Sequence, residues 1–337
     1  MKQLFKLSLA SVLVAGSMAV QAGTLADVLD RGELHCGVTT GVPGFSAPDS
    51  AGNWSGLDVD GCRSVAAAVF GDASKVKYVP LTAKERFTAL LSGEIDVLYR
   101  NTTWTMQRDA SLGLNFAGVN YYDGQGFMVM ASLGVSDALE LDGASVCIQA
   151  GTTTELNLAD WAGENGISYD SVVVETSAQS LDGFLAGRCD VLTSDVSQLA
   201  SLRAAMANPS DAVVLGNVIS KEPLGPVVRQ GDDEWFNIVK WTLIAMIQAE
   251  ESGVTSTNID TVTTNPTIER IAGRLDGLKT HEYLHLSPSW SYDIITQVGN
   301  YGESFERNIG VNTPIGLSRG PNELWTKGGI LYAPAFR

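Results

Sequence analysis

Two short segments of the chain carry side chains suited to gripping a small charged solute. Arg100, Asn101 and Thr103 follow Asp96, and Ser194 and Asp195 follow Asp190. A guanidinium, an amide and a hydroxyl can all donate to an anion, whereas Asp195 offers a carboxylate to a cation. Donors on one side and a carboxylate on the other suit a zwitterion. Each side chain also has a plainer use. Arg100 could pair with a structural carboxylate rather than an acidic ligand, Asp195 could cap a helix, and Asn101 and Thr103 could stabilise a turn.

A different chemistry is written in His281-Glu282-Tyr283-Leu284-His285, which satisfies the H-E-x-x-H pattern of zinc metalloproteases. There a helix sets two imidazoles one turn apart on the metal while the glutamate activates its water. The pattern needs a stable helix and a third ligand. Pro288 follows closely and the only other histidine is His35, which leaves Glu303 and Glu306 as third ligands. The segment lies in the tail, away from the binding segments, so the expectation is no metal and no cofactor.

The binding side chains need elements to hold them, and the chain supplies the same set twice. Leu91-Ser92-Gly93-Glu94-Ile95-Asp96-Val97-Leu98 resembles Leu185-Ala186-Gly187-Arg188-Cys189-Asp190-Val191-Leu192. Ahead of the first copy, residues 34–38 read as a strand, Val59, Cys62, Val65 and Val69 recur near helical spacing, and 75–79 read as a second strand. Thr82-Ala83-Lys84-Glu85 has the form of a capping box that opens another helix. Ahead of the second copy, 145–149 and 171–175 are strand-like, while 154–161 and 177–186 are helix-like. Both copies predict the order β-α-β-α-β, hence two lobes, each a parallel-leaning sheet covered by helices. Ligands of such sheets sit at the carboxyl ends of the strands. The segment 224–229 is expected to return to the first lobe, followed by an apolar helix over 235–249, and the last sixty or so residues read as loops with short helices.

With 38 acidic against 22 basic residues among 337, the formal net charge is -16, which excludes a basic nucleic-acid binder. Lys2 and Lys6 precede an apolar run over 7–20, and Val20-Gln21-Ala22 suits a signal peptidase, so residues 1–22 read as a cleaved export signal. No later stretch supplies the ~20 apolar residues of a membrane span. Four cysteines in an exported chain suggest two disulfides. Of the three possible pairings, Cys36 with Cys62 and Cys147 with Cys189 are favoured because they close modest loops within each lobe.

Gly56-Leu57-Asp58-Val59-Asp60, residues 95–108, Gly151-Thr152-Thr153 and residues 189–195 together resemble the polar amino-acid family of solute-binding proteins (family 3), the periplasmic receptors of ABC importers. Arg100-Asn101-Thr102-Thr103-Trp104-Thr105 and the long tail are similar to its general L-amino acid branch. The resemblance implies an α/β, two-lobed periplasmic binding protein fold of type II, each lobe a mainly parallel sheet flanked by helices, joined by two crossover strands. Lobe 1 would comprise 23–125 and 226–337, lobe 2 would comprise 126–225, and the hinge would lie near 126–130 and 223–227. It implies a monomeric receptor of the periplasm that binds amino acids between closing lobes. The partners would be an inner-membrane ABC permease and its ATPase, with no nucleic acid and no membrane insertion.

The same resemblance assigns roles. Arg108 would grip the ligand α-carboxylate, with Asn101, Thr103 and the Gly151, Thr152, Thr153 turn assisting, and Asp195 would take the α-ammonium. Arginine's planar fork suits a carboxylate, and a turn that opens a helix offers free amides to the same anion. Arg108 could instead be a surface arginine in a salt bridge, and Gly151 to Thr153 a plain helix start. Trp54 and Trp104 read as packing residues. The loop after the first strand, Thr39-Thr40-Gly41-Val42-Pro43-Gly44-Phe45, offers only Phe45 as an aromatic, so a roomy, permissive pocket is expected. The chain is not expected to be an enzyme. A dehydratase of small acids on the same scaffold would need a general acid or base in the cleft, and no histidine or cysteine falls at the strand ends.

Overall fold

The computed structural model describes residues 23–263, 265–275 and 279–337, so the expected export signal at 1–22 lies outside the described residues. The repeat read from the sequence is built twice. In the first copy, strand Leu34–Val38 leads to helix Leu57–Phe70, strand Val76–Pro80, helix Arg86–Ser92 and the short strand Val97–Leu98. In the second, strand Ala144–Gln149 leads to helix Thr153–Asn165, strand Tyr169–Val174, helix Ser177–Leu185 and strand Val191–Asp195. Both place the first strand centrally, with the other two parallel on either side.

The repeated octapeptide has a physical reason for its invariant positions. Gly93 closes helix Arg86–Ser92 with φ 80° and donates its amide back to Leu90, and Gly187 has φ 66° beyond helix Ser177–Leu185. A Cβ disfavours that left-handed geometry. The following aspartates then tie the third strand to the first. Asp96 accepts His35 N at 2.7 Å, and Asp190 accepts Ser145 N at 3.0 Å. The expected capping box is also reciprocal: Thr82 N donates to Glu85 Oε2 at 3.0 Å, and Glu85 N to Thr82 Oγ1 at 3.3 Å.

Antiparallel strands complete each sheet. Val227–Arg229 joins the first between Val97–Leu98 and Leu114–Phe116, the return expected of 224–229. Gln125–Met130 joins the second beside Val191–Asp195, with Ala212–Val214 at its edge. Between the sheets runs a two-stranded antiparallel ribbon of Tyr121–Asp123 and Glu222–Leu224. Of the two expected crossing segments, Pro223 and Leu224 lie on this ribbon, whereas 126–130 lie within the second sheet. The apolar run Gly126, Phe127, Met128 and Val129 is buried, and a central strand hides both of its faces.

Two disulfides, Cys36–Cys62 and Cys147–Cys189, form within the first and second repeated unit respectively, as favoured from the sequence. Helix Asp233–Glu251 lies against helix Leu57–Phe70, and helices Trp290–Gln297 and Tyr301–Asn308 of the tail pack on both. Trp235, Trp290, Tyr301 and Phe305 are all buried in this shared core. Arg319 anchors the tail by a bidentate pair to Glu250 at 3.0 and 3.1 Å, its guanidinium over the rings of Tyr301 and Phe305. Among the described residues no helix is long and apolar enough to cross a membrane.

Candidate functional site

The carboxyl ends of the two sets of strands face one another beside the ribbon and enclose a cavity of about 20 Å³. Arg100, Asn101 and Thr103 line it from the first unit, and Thr152, Thr153 and Asp195 from the second, so six expected binding residues converge there. Arg86, Gln149, Thr154, Ser194 and Gln198 complete the wall. The volume is that of about one water, narrower than the roomy pocket expected. The two units also meet through a salt bridge, Lys84 Nζ reaching Glu175 Oε1 at 2.8 Å.

Asn101 occupies a strained position, with φ 43°, and its backbone amide donates to Asp58 Oδ2 at 3.1 Å. Neither its Oδ1 nor its Nδ2 has a hydrogen-bond partner among the described residues, although the residue is only 8% exposed. Buried polar atoms are nearly always paired, and strain of this kind gathers at functional sites. Asp195 is also buried, and it makes no side-chain cap to the helix Val196–Ala204 that it precedes. The plain role of a helix cap is thus not realised. Burial, reinforced by Asp123 and Glu222 and opposed by Arg86 and Arg108, pushes its carboxyl well above the usual range.

Arg86 was missed by sequence reasoning. It opens helix Arg86–Ser92, is 2% exposed, has its guanidinium over the Phe87 ring, and among the described residues makes two hydrogen bonds, both at the outer limit of 3.5 Å, to Thr102 Oγ1 and to the Gly151 carbonyl. Its Nε has no hydrogen-bond partner among the described residues. The signal available was its spacing, since Arg86, Ala89 and Leu90 form the buried stripe of that helix. A charge in an apolar stripe needs a reason. Arg100, by contrast, is engaged. Its Nε donates to the Leu81 carbonyl at 3.0 Å, and Asp58 holds it electrostatically, while burial lowers its pKa to about 10.

Arg108 and Gly151 stand apart from the cavity wall. Arg108 sits on helix Met106–Ser111, buried, with Nη1 donating to the Thr103 carbonyl at 2.9 Å and its guanidinium over the Phe87 ring. It therefore braces the loop that carries Thr103. Gly151 turns at φ 74°, its amide donating to Glu155 Oε2 at 2.7 Å. The helix that follows has Thr152 at its N-cap with no side-chain cap, so its start faces the cleft unsealed. Phe45 is buried in the core edge-on to Tyr121, and Trp104 stacks on Phe116 while Trp54 lies near Tyr78, both as packing residues.

The H-E-x-x-H segment forms a helix of five residues, Thr280–Leu284. His285 lies past its end at φ 54°, with Nδ1 held by Glu234, so the two imidazoles do not share a helical face.

The sequence pattern of bacterial extracellular solute-binding proteins, family 3, matches residues 34–253. Over 330 residues the chain is 56% identical to the general L-amino acid-binding periplasmic protein AapJ of Rhizobium johnstonii, covering 97% of both. It is 54% identical to the glutamate/glutamine/aspartate/asparagine-binding protein BztA of Rhodobacter capsulatus, covering 97% of this chain and 96% of that one. A solved ABC transporter periplasmic binding protein from Brucella ovis with glutathione bound superposes with a TM-score of 0.92 at 52% identity, over 94% of this chain and all of the other. The two repeated sheets, the ribbon between them and these likenesses agree: the chain belongs to the bacterial extracellular solute-binding proteins of family 3.

Proposed function

We propose that this chain is a periplasmic receptor that holds an amino acid between two lobes and delivers it to the permease of an ABC importer. The observation that carries the reading is the convergence of under-bonded buried groups on one interlobe cavity: Arg86 and Asn101 from one side, Asp195 from the other. A zwitterion supplies what each lacks. Its ammonium pairs with Asp195, and its carboxylate meets the guanidinium side with Arg100 and Asn101, the uncapped helix start at Thr152 and Thr153 adding its partial charge. Arg108 serves that side by its charge, while its bond to the Thr103 carbonyl steadies the loop that carries Thr103, and Gly151 serves by turning the chain into the helix. Three charge-assisted bonds near the upper end of about 1.5–3 kcal/mol each reach the roughly 8 kcal/mol of micromolar binding.

Arg86 favours a ligand with a second carboxylate, because among the described residues it makes no ion pair and feels Asp195 and Glu222 only at longer range. BztA is named for glutamate, aspartate and their amides, and the glutathione of the Brucella ovis structure carries a glutamyl group with free α-amino and α-carboxylate groups. We therefore favour glutamate-like ligands within a broad range. The lobes are taken as 23–125 with 226–337, and 126–225, closing about the ribbon of Tyr121–Asp123 and Glu222–Leu224 in a monomer. Capture rather than catalysis fits a wall without histidine or cysteine.

The test is a thermal-shift screen against the common L-amino acids, followed by calorimetry on Arg108→Ala and Asp195→Asn. Tight ligands raise the melting temperature by mass action. Both variants should lose every amino acid alike, since each removes part of the recognition of groups that all amino acids share. Normal binding by either would reject its assignment.

A further inference from the structure

Glu222 is 1% exposed, and its carboxylate gathers four hydrogen bonds from three parts of the chain. Oε2 accepts from Thr103 Oγ1 at 2.5 Å and from Thr153 Oγ1 at 3.0 Å. Oε1 accepts from Asn157 Nδ2 at 2.6 Å and from Ser220 Oγ at 2.8 Å. Thr103 belongs to the loop after the first sheet, Thr153 and Asn157 to the helix that covers the second, and Glu222 itself to the ribbon between them. The sequence alone does not single out Glu222, because it shares no motif with the strand ends.

A hydroxyl has one proton to give and lone pairs with which to accept. Thr103 and Thr153 both direct that proton at Glu222, so their oxygens turn only lone pairs to the cavity that both residues line. The two oxygens lie 3.3 Å apart. Paired acceptors repel a carboxylate oxygen and attract an N–H donor.

We propose that Glu222 is a positioning residue for ligand capture: by taking both threonine protons it presents Thr103 and Thr153 as acceptors, which with Asp195 bind the ligand ammonium. This rests on the amino-acid reading above and changes one part of what the family resemblance implied, since the two hydroxyls then serve the cation rather than the carboxylate. Because Glu222 takes its donors from both lobes, the acceptor pair is complete only when the lobes meet, which couples closure to the presence of a cation.

A double-mutant cycle tests the proposal, with calorimetry of L-glutamate binding to the wild type, Glu222→Gln, Thr103→Val and the double variant. Both hydroxyl protons go to Oε2, so a glutamine keeps them only by turning its Nε2 against the donor Nδ2 of Asn157, and if it keeps the Asn157 bond it turns Nε2 on both threonines; the four bonds cannot all survive. Each single variant is expected to weaken binding about tenfold or more, and the double variant little further, because both changes disable the same acceptor. Losses that multiply to about a hundredfold, or wild-type affinity in Glu222→Gln, overturn the proposal. Should Glu222→Gln not fold by circular dichroism, Thr103→Ser against Thr103→Val carries the test. Serine keeps a hydroxyl for Glu222 to orient and should bind within about threefold of wild type, and a serine as weak as valine overturns the role. A wild type that binds no amino acid at all rejects the receptor reading itself, an outcome visible before any variant is made.

Discussion

The side-chain amide of Asn322 brackets the backbone of Tyr122: its oxygen accepts from Tyr122 N at 2.6 Å, and its nitrogen donates to Tyr122 O at 3.0 Å. Tyr122 is the middle residue of the ribbon strand between the two sheets, whose other edge pairs with Pro223. Asn322 thus fills the open edge of that strand as a third strand would. Tyr301 adds a bond from its hydroxyl to the Asn120 carbonyl at 2.8 Å, so the tail grips the ribbon at two points.

Replacing Asn322 with alanine removes both bonds and leaves a strand edge half-sealed. We expect the substitution to lower unfolding stability by about 1–3 kcal/mol, measured by urea denaturation, with the far-ultraviolet circular dichroism unchanged. A loss below a few tenths of a kcal/mol would mean that water replaces the amide without cost.

Arg86→Met should separate binding from stability. The change keeps much of the side-chain volume and removes a buried guanidinium that makes no ion pair among the described residues. The ligand-free protein should therefore melt at a higher temperature, by the logic that unpaired buried charge is costly. L-glutamate affinity should fall about tenfold or more, and L-glutamine affinity less, as calorimetry with the two ligands would register. Equal losses would deny Arg86 a role in reading the second carboxylate.

Acid should stabilise the ligand-free protein over part of its range. Burial pushes Asp58 and Asp123 up to about 6 from an ordinary 3.8, the hydrogen bonds of Asn120 and Asn101 and of Ser197 and Gly124 opposing it. Between those values the folded state binds more protons than the unfolded one, so stability falls as pH rises through the window and is lowest, with respect to these groups, above about 6. The melting temperature of the ligand-free protein should rise from pH 7 to pH 5. Binding should show the opposite trend, because an ammonium needs Asp195 ionised and its carboxyl is raised by burial. Titrations in buffers of differing ionisation enthalpy should detect proton release on binding, growing as pH falls.

Each disulfide closes a loop within one repeated unit, 26 residues for Cys36–Cys62 and 42 for Cys147–Cys189. Chain-entropy estimates put their contributions at about 3.5 and about 4 kcal/mol. Paired serine substitutions should lower stability by amounts of that order while ligand affinity stays within about threefold, since neither bridge spans the cleft. A large loss of affinity in a folded variant would show that a bridge also shapes the site.

How much was legible in the sequence depended on how local the cause was. The repeated Leu-x-Gly-x-x-Asp-Val-Leu pattern carried the two βαβαβ units because each of its positions answers to a neighbour in the chain or in the next strand: a left-handed glycine after a helix, an aspartate on the first strand's amide. The strand ends followed from that topology, so Asn101, Thr103 and Asp195 could be named in advance. Residues 126–130 pair within the second sheet, a placement the sequence does not decide because an apolar run reads alike as a hinge strand or a core strand, and only its neighbours tell them apart.

Composition, the export-like leader, the doubled fold and the strand-end donors were determined by the sequence itself, since they rest on local spacing and on rules of parallel sheets. Which charges go unpaired was decided by the tertiary structure alone. Arg100 finds Leu81 and Asp58, Arg108 finds the Thr103 carbonyl, and Arg86, with the same side chain, is left at 3.5 Å from its nearest acceptors. The direction of the Thr103 proton likewise depends on Glu222, which lies 119 residues away. A residue type states what a group can donate or accept, and only the neighbours that folding assembles determine which of those bonds remain for a ligand.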